Sequence, residues 1–362
     1  MSKPVLVTGA TGTIGRDVAR QLSGKGVAVR AGVRDQVKAR TQFGADIALV
    51  PFDFENEKTF SEALDGVEKV FLLPPLLPNQ LEVMNTFVDA AKRAGVRHIV
   101  RLSAIGVDDA TQPTAIKAHA ANEQHIRESG LGFTFLRPNS FMQNFITYFP
   151  PRNGAIYLPW GNGTASFVDT RDIASVAAKA LASDGHEGKI YTLTGPATLA
   201  IAEVALILSE VTGREFKYVD VPESAARDGM LQAGMPQWQV ELDWNCTQSI
   251  SRTAGVPSPP TLKKSRTLPQ PTSHNSPATT PTNFELPKLT HSTPVGHGDT
   301  GRRPEKEWRK IQVNPITRSE VFSSSVLFIP QRPLLMLRRL LCFAASLAAR
   351  GAASANRRDY CR

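Results

Sequence analysis

Cysteine is missing from the first 240 residues; Cys246, Cys342 and Cys361 all come later. That part of the chain therefore holds no thiol nucleophile, disulfide or Cys-based metal site, which fits a reducing compartment. It also lacks a surplus of either charge. From Met1 to Val240 there are 24 Lys and Arg against 25 Asp and Glu, and from Glu241 onward 18 against 8. The net charge of +9 and the basic pI of about 9.6 thus belong to the later stretch and give no reason to expect nucleic acid on the earlier one. No apolar run reaches the ~20 residues that a bilayer span takes. The longest candidate, Leu334 to Ala349, is interrupted by Arg338 and Arg339. Val5 to Val7 is too short for a signal-peptide core and runs straight into a glycine turn, so a cytoplasmic protein with no membrane partner is expected. No group of side chains has metal-ligand spacing, so no metal is expected.

What is present is concentrated near the start, in Val5-Leu6-Val7-Thr8-Gly9-Ala10-Thr11-Gly12-Thr13-Ile14-Gly15. Three apolar, mostly β-branched residues read as a buried parallel strand. Gly9 and Gly12 let the backbone turn tightly and approach a pyrophosphate, and Gly15 lets the following helix pack close on the strand. The helix N-terminus brings partial positive charge to the phosphates. Gly9, Ala10, Thr11, Gly12, Thr13 and Ile14 are therefore candidate cofactor ligands. Ile14, Val18 and Leu22 recur at helical spacing before Gly24, and a second apolar run, Val27 to Val33, completes a β-α-β unit.

That second strand ends in Arg34-Asp35. An arginine here pairs with a 2′-phosphate, which favours NADP over NAD, unless it is a solvated arginine in a polar turn with Asp35 capping the next helix. Asp53, after a third strand Ile47 to Phe52, can accept from an adenine amino group or cap the helix that follows. A fourth strand runs from Val67 to Leu73, whose end belongs beside the cofactor. The helix Asn79 to Arg93 carries a core stripe. A fifth strand, His98 to Ser103, stops at a hydroxyl, with His98 near a sheet edge or the surface.

The Thr8 to Gly15 turn, Val33-Arg34-Asp35, Ser103, and the run Ser129 to Asn144 that contains Arg137-Pro138-Asn139-Ser140-Phe141-Met142-Gln143-Asn144 resemble the NmrA-like branch of the short-chain dehydrogenase/reductases. Phe167 to Ala174 and Tyr191 to Pro196 extend the likeness over about the first 240 residues. The resemblance implies an α/β fold, a doubly wound parallel Rossmann sheet with a small C-terminal substrate lobe, and NADP(H) in the crevice. It also implies either a reductase of quinones or similar conjugated acceptors, or a non-catalytic NADP(H) sensor working through a protein partner. Ordinary members of the wider superfamily carry Tyr-x-x-x-Lys after strand five; here that helix reads Ile116 to His125 with no tyrosine. His119 stands in the slot that relatives fill with lysine or histidine. Four residues before Glu123, it shares that residue's helical face. An imidazole titrating near neutrality could pass a proton, hold a ribose, or simply be satisfied by Glu123.

Strand six, Phe133 to Leu136, is broken by Arg137-Pro138, and Asn139 to Met142 offers polar groups and two apolar side chains for a wall beside a flat ring. Ser103, Asn139 and Phe141 join the candidate cofactor contacts there. Asp169 and Asp172 flank Arg171 at a helix start, where capping explains them better than an acid pair. Residues 1–150 are expected to form the Rossmann domain and 151–241 a small lobe interleaved with it. Beyond about Leu242 periodicity ends in a Pro, Ser, Thr and Arg-rich stretch, so 242–362 is expected to be a low-order tail, of the kind a misread frame or retained intron produces.

Overall fold

A computed structural model of the chain describes residues 3–111, 114–232, 234–241 and 324–327. In chain order the main body contains β1 (Val5–Val7), α1 (Thr13–Ser23), β2 (Val29–Val33), α2 (Gln36–Phe43) and β3 (Ala48–Pro51). A one-turn 3-10 segment, Glu57–Thr59, leads into α3 (Phe60–Leu64), followed by β4 (Lys69–Leu72), α4 (Gln80–Arg93), β5 (His98–Leu102), α5 (Thr114–Ser129) and β6 (Gly132–Pro138). Next come α6 (Asn144–Thr147), β7 (Ala155–Leu158), β8 (Thr164–Ala165), α7 (Thr170–Ala182), β9 (Lys189–Leu193) and β10 (Leu199–Ala200). The last elements are α8 (Ile201–Thr212), β11 (Lys217–Asp220), α9 (Glu223–Gln232) and β12 (Ser324–Leu327).

Eight strands form one parallel sheet in the order β12-β9-β6-β5-β4-β1-β2-β3, the doubly wound architecture expected from the sequence. The chain reverses its direction of travel across the sheet between β1 and β4, so a crevice opens at their carboxyl ends. Both faces are covered, which is why the strands are apolar throughout rather than alternating. On one face α1, α2 and α7 bury Val18, Leu22, Phe43 and Ile173. On the other, α3, α4 and α5 bury Phe60, Phe87 and Ile126. Phe52, Phe54, Phe60 and Phe87 pack with ring centroids 4.8 to 5.6 Å apart. Each such ring stabilises the fold by roughly 1.5–3 kcal/mol through burial.

A third apolar cluster, with Phe145, Ile156, Trp160, Phe167 and Leu208, gathers the small pairs β7 with β11 and β8 with β10. Further along the chain, α7 packs into the core of the main sheet and β9 pairs in parallel with β6.

Three features differ from the sequence expectations. His98 is 2 % exposed, in the sheet between β4 and β6, not at an edge or surface; its Nε2 shares a 2.9 Å hydrogen bond with the Thr134 hydroxyl, which in turn donates to His186 O. β6 is not broken at Arg137 but runs through Pro138, because Arg137 and Pro138 still pair with Thr192 and Leu193 of β9. The expectations for the tail lie outside the described residues except at Ser324–Leu327, which pairs in parallel with β9 as the eighth strand.

Candidate active site

The crevice begins where β1 ends. Gly9 adopts φ +59°, and a Cβ there would lie 2.5 Å from Leu73 Cδ2. A Cβ on Gly15 would collide with the Gly9 carbonyl, so this glycine lets α1 rest directly on the turn. Gly12 donates its N–H to Gly9 O at 2.9 Å and caps α1 without a side-chain bond, leaving the first helical turn open to an anion. Ala10, expected among the cofactor ligands, is fully buried and lines neither hollow. The Thr8 hydroxyl donates to Phe71 O at 3.0 Å and accepts from Leu73 N–H at 2.9 Å, which fixes the ends of β1 and β4 against each other.

A hollow of about 260 Å³ lies beside this turn, lined by Gly9, Thr11, Arg34, Asp53, Glu55 and Leu73 among others. Arg34 is exposed and makes no hydrogen bond or ion pair among the described residues. Asp35 caps α2 by accepting from Lys38 N–H at 2.9 Å. Asp53 lines the hollow, but it does not cap the helix that follows: its oxygen accepts from Glu55 N–H at 3.1 Å in a local turn, and Asn56 and Thr59 stand at the helix starts instead. An uncapped helix start, glycines whose side-chain space is taken by backbone, and an uncommitted arginine form a donor set that fits a phosphorylated dinucleotide.

The adjoining crevice, about 490 Å³, is lined from α1 by Thr13 and Ile14, from β5 and its loop by Ser103 and Ile105, and from α5 by Ile116 and His119. The segment after β6 contributes Asn139, Phe141 and Gln143, with Thr147, Tyr148 and Thr170 beyond. Among the described lining residues there is no Asp, Glu, Lys or Arg.

Charge lies behind this wall. Glu123 is buried and accepts from Arg137 Nε at 3.0 Å, Arg137 Nη2 at 2.6 Å and the Ser103 hydroxyl at 2.5 Å. Ser103 thus offers the crevice only oxygen lone pairs, its proton being committed to Glu123. Burial alone would lower the Arg137 pKa, but its bonds to Glu123 and Asp108 outweigh that and raise it. His119 does not face Glu123 as expected: its Nδ1 lies 3.2 Å from Arg101 Nη2. Burial, then the Arg101 charge, draws the imidazole from 6.5 down to about 3, so a histidine titrating near neutrality is not what the site contains.

Phe141 lines the crevice and its backbone bridges to Val168, whereas Met142 turns away to pack on the small-lobe cluster. The Asn139 side-chain oxygen accepts from Ser140 N–H at 2.7 Å. Asp169 caps α7 and clamps Arg171; burial would raise its pKa, but the Arg171 bonds hold it below the ordinary carboxylate range. Sequence reasoning missed Gln143, whose amide donates to Asp169 at 3.0 Å and accepts from Thr170 N–H at 3.1 Å, tying the crevice wall to α7. It missed Arg101 too, although an arginine inside an apolar strand was a visible signal.

A model of the NmrA-like family matches residues 1–268. The chain belongs to the NmrA-like family. Within it, the protein is similar to the NAD(P)H azoreductase of Xenophilus azovorans, 39% identical over 235 residues that cover 64% of this chain and 82% of that one. Its fold is similar to the Citrobacter triphenylmethane reductase complexed with NADP(H), at TM-score 0.62 and 26% identity over 71% of this chain and 92% of that one. The Escherichia coli NADPH-dependent quinone oxidoreductase complexed with NADPH gives TM-score 0.63 and 26% identity over 69% and 90%. Among the described residues, no helix is long and apolar enough to cross a membrane and no group of three or more His, Cys, Asp or Glu is placed to hold a metal.

Proposed function

We propose that this NmrA-like protein is an NADPH-dependent reductase of flat, conjugated small molecules such as quinones. Its cofactor is NADP(H). The carrying observation is the uncharged crevice that runs on from the glycine turn, wide enough for a ring system to lie beside a nicotinamide. Similarity to azo dye, triphenylmethane and quinone reductases supports the same class of acceptor.

In this reading the backbone from Gly9 to Ile14 holds the diphosphate and Arg34 the 2′-phosphate. Asp53 accepts from the adenine amino group. Leu73, Ser103, Asn139 and Phe141 bound the nicotinamide side, and residues 151–241 form the acceptor lobe interleaved with the Rossmann domain of 1–150. When bound, NADPH supplies a hydride. The residues position and exclude water; none of those lining the crevice is an acid at neutral pH, so the proton that completes reduction comes from solvent. His119 serves as a hydrogen-bonding group on the wall.

Mixing the full chain with NADPH and a panel of quinones, azo dyes and triarylmethane dyes, and following cofactor absorbance, tests this. Oxidation of NADPH dependent on an acceptor is expected. Tight NADPH-selective binding without turnover on any acceptor would replace the reductase by the sensor.

A further inference from the structure

We propose that Arg101 is a positioning residue that locks His119 in its Nε2–H form, so that His119 meets the acceptor as a fixed hydrogen-bond donor and never as an acid. A guanidinium has donors and no acceptor. With Arg101 Nη2 3.2 Å from His119 Nδ1, that ring nitrogen must accept, and the single ring hydrogen must sit on Nε2. Because His119 lines the crevice, a neutral donor is what this residue can present there.

The lock is built in depth. Arg101 is 1 % exposed and stands in β5, in register with Leu72 of β4 and Phe135 of β6. Its Nε donates to Asn122 Oδ1 at 2.5 Å and its Nη1 to Leu102 O at 3.3 Å. Asn122 cannot turn over at no cost, since its own Nδ2 donates to Asn85 Oδ1 of α4 at 2.7 Å. The guanidinium is thereby aimed at the imidazole. Arg101 of β5 is the charged group that acts on His119; α4 presents the neutral Asn85, and Glu123, one turn further along α5, acts on Arg101 and is itself bonded to Ser103 and Arg137. An imidazolium would lose the acceptor at Nδ1 and set two cations in contact, a further reason for the low imidazole pKa. Arg101 itself, drawn down to about 10 by burial, stays charged at neutral pH.

The tautomer stands on this geometry alone; the contact with an acceptor oxygen or nitrogen rests on the reductase reading. Nitrogen-15 NMR of the histidine rings in the full wild-type chain, with His119 identified by its loss in His119→Gln, separates the two. The expected His119 pattern is one protonated nitrogen, Nε2, and one bare nitrogen, Nδ1, unchanged between about pH 5 and 8. Titration of the wild-type ring near 6.5, or a hydrogen on Nδ1, would overturn the lock without recourse to any variant. Arg101→Met, which keeps an apolar stem in the same space, should free Nδ1 to carry the hydrogen, so that both neutral tautomers appear in the nitrogen-15 pattern. The acceptor contact is read with a quinone: His119→Gln, which keeps an N–H donor, should lose kcat several-fold less than His119→Leu, whose loss is expected at roughly tenfold. Equal losses would remove the contact while leaving the lock. A panel without any turnover would remove the reductase reading and the contact together, with the NMR result still deciding the tautomer.

Discussion

At the Arg34 end the site is a hollow of about 260 Å³ with Arg34, Asp53 and Glu55 on its lining, while at the Phe141 end it is a crevice of about 490 Å³ whose described lining residues carry no carboxylate, lysine or arginine. One end can recognise a ligand by charge, over distances that reach into solvent. The other has shape, polar neutral groups and hydrogen-bond direction. The difference is not a shortage of charged residues in that half, because Arg101, Arg137 and Glu123 stand immediately behind the wall. They are spent on one another and on Ser103, Asn122 and His119, so the crevice feels their geometry and not their ionisation.

The largest effect expected from breaking this arrangement is on stability. Glu123→Ala takes from buried Arg137 its buried carboxylate, leaving it only the exposed Asp108, and removes the negative charge nearest buried Arg101; it should cost about 3–5 kcal/mol, read as a lower urea midpoint at unchanged slope. A loss within about 0.5 kcal/mol would mean the buried charges are solvated after all, and the contrast between the two ends would fade.

Next in size is the share of the acid limb of the stability curve that His98 contributes at the start of β5, away from the site and in addition to His119. Burial lowers the His98 pKa from 6.5 to about 4, so between those values the unfolded chain binds more protons than the folded one. Stability is therefore fully present above about pH 6.5 and is lost as pH falls toward 4, on the order of 3 kcal/mol. His98→Gln should flatten that limb in denaturant melts taken across this range; an unchanged slope would shift the responsibility to other groups.

Arg34→Ala sharpens the comparison through binding. Loss of a charge-assisted contact should weaken NADPH by about 1.5–3 kcal/mol, roughly 10- to 100-fold, with little change for NADH in calorimetry. Equal losses for both nucleotides would take the 2′-phosphate away from Arg34. The neighbouring Asp35→Ala is the smallest effect and serves as its control. It removes the α2 cap, costs about 1 kcal/mol of stability, and should leave NADPH affinity nearly as it was. If it weakened NADPH as much as Arg34→Ala does, local disorder rather than a phosphate contact would explain both.

Most of the scaffold was legible because buried parallel strands and glycine turns write themselves locally. α4, expected at 79–93, runs Gln80–Arg93, and the helix start expected around Asp169 to Asp172 is where α7 begins, at Thr170. Local signals also placed the glycine turn and the caps at Asp35 and Asp169. What stayed hidden depends on tertiary pairing. The spacing of His119 and Glu123 brings them onto one helical face, yet two neighbouring strands supplied their partners, β5 with Arg101 for the one and β6 with Arg137 for the other. His98 looked peripheral only because nothing in its own strand names Thr134 as its mate. β12 was unreadable for a similar reason: four residues far along the chain acquire strand identity from β9, not from their own composition.

Leu73, Pro74, Pro75 and Leu76 line both hollows at once. They form a party wall between two tenants, and its stiffness is set by two prolines with fixed φ and no amide hydrogen to lend to any strand. Whatever nucleotide moves in on one side presses on the same short partition that shapes the room on the other. Widening the crevice at Leu76, which is 41 % exposed, should therefore be judged on coenzyme affinity as well as on what the crevice admits, because neither side of the partition can be remodelled alone.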